Sequence, residues 1–235
     1  MRAGIPVADL CAGLYLAQGI LVALIERERS GKGQWVTTSL LQAMVNMLDF
    51  QATRWLIDGE VPPQAGNDHP TTMPTSAFRT RDGHINIAAT APAMWRSLCE
   101  VAGVPQLVDD PRFEDGRKRS QNRVELVEEL ERGLVNYSSD ELIERLNERG
   151  VPAGPILSID EVFANEQVRA NGSVVTVEHP ELGELSILGT PYGMSRTPPS
   201  VRTPTPDPGQ HTDEVLGELG YSADQLAALH ADGVV

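Results

Sequence analysis

The sequence predicts an α/β protein: one body formed by the two ends of the chain and a smaller mixed domain between them in sequence, joined by long linkers. Three observations carry that expectation. Apolar residues recur at helical spacing near both ends of the chain. Hairpin-like strand pairs lie in its middle. Proline-rich stretches at 59–74 and 189–204 separate the two. Segments 1–58 and 205–235 then belong to one body and residues 75–188 to a smaller domain, with 59–74 as linker and 189–204 as return linker.

Residues 9–29 read as a helix, apolar through most of its length, charged at its end and stopped by Gly31 and Gly33. Residues 34–37 are a short strand candidate. Ser39 can cap a second helix, with Leu40, Leu41, Met44, Val45 and Leu48 at helical spacing, running to Ile57 before Asp58-Gly59. Residues 77–80 and 84–89 flank Asp82-Gly83, the dipeptide of a tight hairpin turn. Helices are expected at 92–103, 117–135 and 138–149, the last opened by a Ser138–Glu141 capping box and closed by Gly150. A strand at 156–157, a helix at 158–165 capped by Ser158, and paired strands at 173–177 and 184–188 follow. Prolines at 191, 198, 199, 204, 206 and 208 make the return segment extended, and helices at 211–219 and 223–231 end the chain.

A hydrophobic content of 40% supports a core. The longest apolar run, Leu14 to Ile25, contains Gln18 and Gly19 and falls short of the roughly 20 residues of a membrane span. A net charge of −14 argues against a general nucleic-acid partner and against anionic lipid surfaces, both of which need a basic face. Cys11 and Cys99 make neither a disulfide framework nor a metal cluster, and they fit a reducing cytoplasm. The histidines and acids nowhere adopt ligand spacing, so no metal is expected.

Asp9 opens the first apolar helix. An Asp there is by default a helix N-cap. The same position suits a carboxylate nucleophile, because exposed N–H groups and the positive end of the helix dipole favour the charged form. Cys11 reads either as a reactive thiol or as a small buried helix residue. Gly13 lets a ligand or partner chain approach, or lets two helices pack closely. Gly31-Lys32-Gly33 lacks the frame of a phosphate loop and reads as a helix-terminating turn. Thr212 or Asp213 reads as a cap for the helix after His211.

Gly4-Ile5-Pro6-Val7-Ala8-Asp9, then Gly13, Gly19-Ile20-Leu21 and Gly31-Lys32-Gly33-Gln34, resembles the class III CoA-transferase family. The likeness continues through Gly66-Asn67-Asp68-His69-Pro70, Phe78-Arg79-Thr80-Arg81-Asp82-Gly83, Gly150-Val151-Pro152-Ala153-Gly154-Pro155, His179-Pro180-Glu181-Leu182-Gly183 and Gly209-Gln210-His211-Thr212-Asp213. That family includes formyl-CoA, carnitine and succinyl-CoA-dependent CoA-transferases, and alpha-methylacyl-CoA racemase.

The resemblance implies a Rossmann-like large domain, a small domain and an interlocked dimer. It implies Asp9 as the catalytic carboxylate, a CoA thioester as substrate with no permanently bound cofactor, and a small carboxylic acid as acceptor. It places Gly66, Asn67 and His69 where some relatives carry a loop over the substrate; a solvated loop histidine is the plainer reading of His69. In the family an N-terminal segment precedes the Asp string and supplies most CoA contacts. The chain is therefore expected to be a C-terminal portion: a truncated product, the product of a start codon called too late, or one subunit of a split enzyme, with a homodimer or partner subunit supplying the N-terminal half. The Asp-Leu-x-x-Gly-Leu-Tyr form and His69-Pro70 look most like the succinyl-CoA-dependent branch. A racemase or epimerase, and an inactive fragment or non-catalytic subunit, are the alternatives.

Overall fold

The computed structural model describes residues 3–235. It divides into two compact units, Met1–Pro155 and Ile156–Val235.

The first unit opens with α1, Val7–Ser30. Pro6, not Asp9, is its N-cap residue; Pro6 accepts from Leu10 N–H at 3.1 Å, and Asp9 sits inside the first turn. Gly31 ends the helix at φ 71°, where its N–H reaches the Arg27 carbonyl. Apolar residues surround this helix on all sides, and Ala12 is the one buried side chain among them. At 24 residues α1 is longer than the apolar run read from the sequence, and it is long and apolar enough to cross a membrane by length and composition. The uncharged stretch between Asp9 and Glu26 is shorter, about 24 Å at the rise of an α-helix.

The strand expected at 34–37 does not form. Among the described residues no strand pairs with it to complete a ladder. Instead this segment runs close to α1, where a Cβ on Gly19 would stand 2.9 Å from a Val36 methyl.

The expected single helix over 39–57 is two helices, α2 at Leu40–Asn46 and α3 at Phe50–Asp58. Ser39 caps α2 as anticipated, accepting from Gln42 N–H at 3.1 Å. The break falls at Asp49, which holds φ 49°. Apolar spacing continues across the break, so periodicity alone does not reveal it. Tyr15 on α1 donates to Asn46 at 2.6 Å and fastens α2 to α1.

The compact core lies beyond residue 72. β1, Thr75–Arg79, pairs antiparallel with β2, His84–Ala88, in register from Thr75↔Ala88 to Arg79↔His84. β3, Ala153–Pro155, lies on the other side of β2, so the strand expected at 156–157 forms slightly earlier. Ser76 and Phe78 alternate inward on β1, as do Ile85 and Ile87 on β2. Against that face pack α4, Pro92–Val101, through Trp95, Leu98 and Cys99; α6, Arg123–Leu134, through Leu126, Leu130 and Leu134; and α7, Ser139–Glu148, through Leu142 and Leu146. A helix over 117–135 was expected to be continuous. It is split into α5, Gly116–Gln121, and α6, because the Asn122 side chain bonds the Arg112 and Lys118 carbonyls. Ser138 does cap α7, but the reciprocal half of the capping box is absent: the Glu141 carboxylate pairs with Arg145 instead.

The second unit holds α8 at Ile159–Ala164, α9 at Glu166–Ala170, and a two-stranded sheet of β4, Val174–His179, and β5, Gly183–Leu188. Ser158 and Glu161 form a full capping box on α8; α9, capped by Asn165, was not foreseen. α10, Thr212–Glu218, and α11, Ala223–Ala231, close the chain. Neither Thr212 nor Asp213 caps α10: His211 holds the cap position without a side-chain bond, and Asp213 pairs with His230 at 2.7 Å.

Candidate functional site

Asp9 is exposed in the first turn of α1, where helix N–H groups lack intrahelical acceptors. Among the described residues its carboxylate has no hydrogen-bond or ion-pair partner. That leaves the carboxylate free to meet an electrophile in the favourable field of the helix start. A Cβ on Gly13 would meet nothing within 4 Å, so no helix packs on that position in this structure. Cys11 is half-buried and free. The groove beside α1, about 360 Å³, is lined by Ile20, Leu24, Arg27, Trp35 and Val36. It starts about 16 Å along the helix from Asp9 and does not include it.

The second cluster of expected site residues is the loop 66–74. Gly66 turns at φ 63°, a conformation that favours glycine. Asn67 is exposed. His69 is half-buried and held through one ring face, its Nδ1 and its backbone. Its ring stacks on Phe50 at 5.7 Å, its Nδ1 accepts from Thr71 and Thr72 N–H at 3.3 and 3.1 Å, and its backbone N–H donates to the Thr75 carbonyl at 2.8 Å. Nδ1 as acceptor leaves the proton on Nε2, the nitrogen free to face a ligand. His69 is thus a structural member of the loop rather than a solvated histidine.

Sequence reading passed over Asp68. Its carboxylate accepts from the buried Ser76 hydroxyl at 2.7 Å and lies 3.7 Å from Arg123. An acid followed by a small hydroxyl residue on the next strand was the available signal, but their pairing depends on the turn between them.

Gly66, Asn67 and His69 therefore share one loop. Asp9 stands on a different element, and among the described residues no hydrogen bond or ion pair joins it to that loop. Phe50 on α3 stacks on His69, and Tyr15 on α1 bonds Asn46 on α2. No group of three or more potential metal ligands exists among the described residues. His179, His211 and His230 are engaged by backbone N–H groups or neighbouring acids.

A model of CoA-transferase family III matches residues 1–212. The chain belongs to CoA-transferase family III. A succinate–glutarate CoA-transferase of Agrobacterium fabrum is 35% identical over 93% of this family III chain and 55% of its own length. A human succinyl-CoA:glutarate CoA-transferase is 32% identical over 100% of the chain and 54% of its own. A CAIB/BAIF family protein from Brucella suis, of known structure, superposes with a TM-score of 0.77 at 32% identity, covering 93% of this chain and 57% of that one. This family III chain thus spans about half the length of the curated relatives it matches. The α/β fold expected from the sequence is the fold of these neighbours.

Proposed function

We propose that the chain carries the reacting carboxylate of an enzyme that moves CoA from an acyl-CoA to a carboxylic acid, with Asp9 as nucleophile. The observation that supports this is Asp9 itself: exposed, unpaired among the described residues, and at the start of a long helix within the segment that matches the family. Asp9 attacks the thioester carbonyl carbon, the C–S bond breaks, and CoA thiolate leaves a mixed anhydride. The thiolate then attacks the Asp9 carbonyl and releases the donor acid as its carboxylate, giving an aspartyl thioester. The acceptor carboxylate expels the thiolate to form a new anhydride. Thiolate attack on the acceptor acyl carbon returns Asp9 and releases the new acyl-CoA. A carboxylate suits each step because it is both nucleophile and leaving group. N–H groups at the helix start stabilise the oxyanions.

The donor proposed is succinyl-CoA and the acceptor a dicarboxylic acid, by likeness to the succinyl-CoA-dependent relatives. Gly66, Asn67 and His69 border the acceptor. CoA is a substrate, not a resident cofactor. The proposal includes a homodimer or a partner subunit, cytoplasmic location, no nucleic-acid or membrane partner, and a division of the chain into large-domain segments 1–58 and 205–235 and a small domain 75–188. The test is hydroxylamine trapping in the presence of acyl-CoA, followed by peptide mapping. Hydroxamate at Asp9 supports the transferase. Solvent exchange of the α-proton with Asp9 unlabelled overturns it in favour of racemase chemistry.

A further inference from the structure

One face of the α5–α6 corner grips the loop that carries Asn67 and His69. Arg123 donates through Nη2 to the Pro70 carbonyl at 3.0 Å. The Ser120 hydroxyl lies 2.9 Å from both the Thr71 and the Gly116 carbonyls and shares its one proton between them, and Arg119 donates through Nε to the Met73 carbonyl at 3.1 Å. Arg123 also sits 3.7 Å from the Asp68 carboxylate, which Ser76 holds at 2.7 Å. So two arginines and a serine within one helical corner each reach a separate backbone carbonyl of the 70–73 stretch, the serine sharing its proton with its own helix. Arg119 is almost fully buried. Its second donor, Nη1, is spent on Phe113 O, and its guanidinium lies 5.1 Å over the Trp95 ring.

The same stretch supplies the Thr71 and Thr72 N–H groups that hold His69 Nδ1. Fixing the carbonyls at 70, 71 and 73 fixes those donors, and the donors orient the imidazole. A flexible loop of this polarity, without such grips, would sample many conformers and raise the entropic cost of binding. Burying a guanidinium without a carboxylate partner is costly, and the hydrogen bonds Arg119 makes here go to backbone carbonyls, with its guanidinium over a ring. The arrangement therefore serves geometry rather than charge.

We propose that Ser120 and Arg123, backed by the buried Arg119, are positioning residues: they hold the 66–73 loop so that His69 presents Nε2 to the acceptor carboxylate. This rests on the proposed transferase reading, in which that loop borders the acceptor.

The test uses the full-length protein carrying Arg123→Ala, Ser120→Ala or Arg123→Lys. Three quantities are read: amide exchange at Thr71 and Thr72, KM for the acid acceptor against KM for acyl-CoA, and hydroxylamine labelling of Asp9. In Arg123→Ala, exchange at Thr71 and Thr72 rises about tenfold or more, the acceptor KM rises about tenfold, and Asp9 labelling by acyl-CoA is unchanged. Ser120→Ala shifts the same quantities less, and Arg123→Lys restores part of the loss. Loop exchange without a change in acceptor KM overturns the positioning role while leaving the transferase reading standing. A loss spread equally over the β1–β2 hairpin amides and both KM values overturns it as a general folding effect. Absence of Asp9 labelling in the unsubstituted protein overturns the transferase reading itself, and the inference with it.

Discussion

The Asp82 carboxylate takes two hydrogen bonds from Ser139, at 2.8 Å from its backbone N–H and 3.0 Å from its hydroxyl. This pins the β1–β2 turn to the first residue of α7. Thr80 adds a third bond at 3.2 Å. The Ser139 N–H, then its hydroxyl, hold the Asp82 carboxyl below its usual range. Asp82→Ala should therefore lower the melting temperature without altering the fold. A depressed folded pKa contributes stability above the unfolded value of 3.8 and loses it as pH falls through the folded value beneath. The melting difference between parent and variant should thus be constant near neutrality and shrink below pH ~4. A difference that persists unchanged into strong acid would contradict this role.

Gly133 on α6 faces the end of α4 with no room for a side chain. A Cβ there would stand 1.9 Å from the Ala102 carbonyl oxygen, and the obstacle is backbone. Gly133→Ala must push the two helices apart across the leucines 126, 130 and 134. The expected loss is about 3 kcal/mol or more by urea denaturation. A loss below about 1 kcal/mol would show that the helices slide apart freely.

Cys99 is fully buried in the same core. Desolvation pushes its thiol up to about 12, although nearby Arg119 pulls the other way. A raised folded pKa leaves stability flat below the unfolded value of 9.0 and removes it as pH rises toward the folded one. The alkaline limb should steepen by at most about 1.4 kcal/mol per pH unit. Cys99→Ala should flatten that limb at a cost of about 1 kcal/mol near neutrality. Native Cys99 should also resist iodoacetamide at mildly alkaline pH and react once unfolded, as peptide mapping would read.

The small mixed core was legible because its signals are local. Asp82-Gly83 marks a turn, Phe78, Ile85 and Ile87 alternate, and Leu126, Leu130 and Leu134 keep helical spacing. The breaks at Asp49 and Asn122 were not, because apolar spacing runs through both and the cause is a backbone angle or a side-chain bond. Asp9 was found through the string around it, yet its role as N-cap failed because Pro6 ends the preceding chain first. His69 could be placed on its loop, but its stacking on Phe50 and its two backbone donors depend on contacts between distant elements. The grip of Arg119, Ser120 and Arg123 was illegible for the same reason.

Asp9 offers the sharpest separation of chemistry from folding. It is exposed and, among the described residues, unbonded, so the fold gains little from its charge beyond the helix dipole. Asp9→Asn keeps the shape and removes the proposed nucleophile. Melting should change by no more than about 1 kcal/mol, the scale of a first-turn acid on a helix. Transfer of CoA should fall by about 10³-fold or more, since an amide oxygen can neither form nor release the anhydride. Asp9→Glu should lose most of that rate as well, because one added methylene moves the carboxylate away from the N–H groups at the helix start. Steady-state kinetics and thermal melts on the same preparations decide the matter. Retained turnover in Asp9→Asn would remove Asp9 from the reaction, whereas an unfolded variant would show that the residue serves the helix instead.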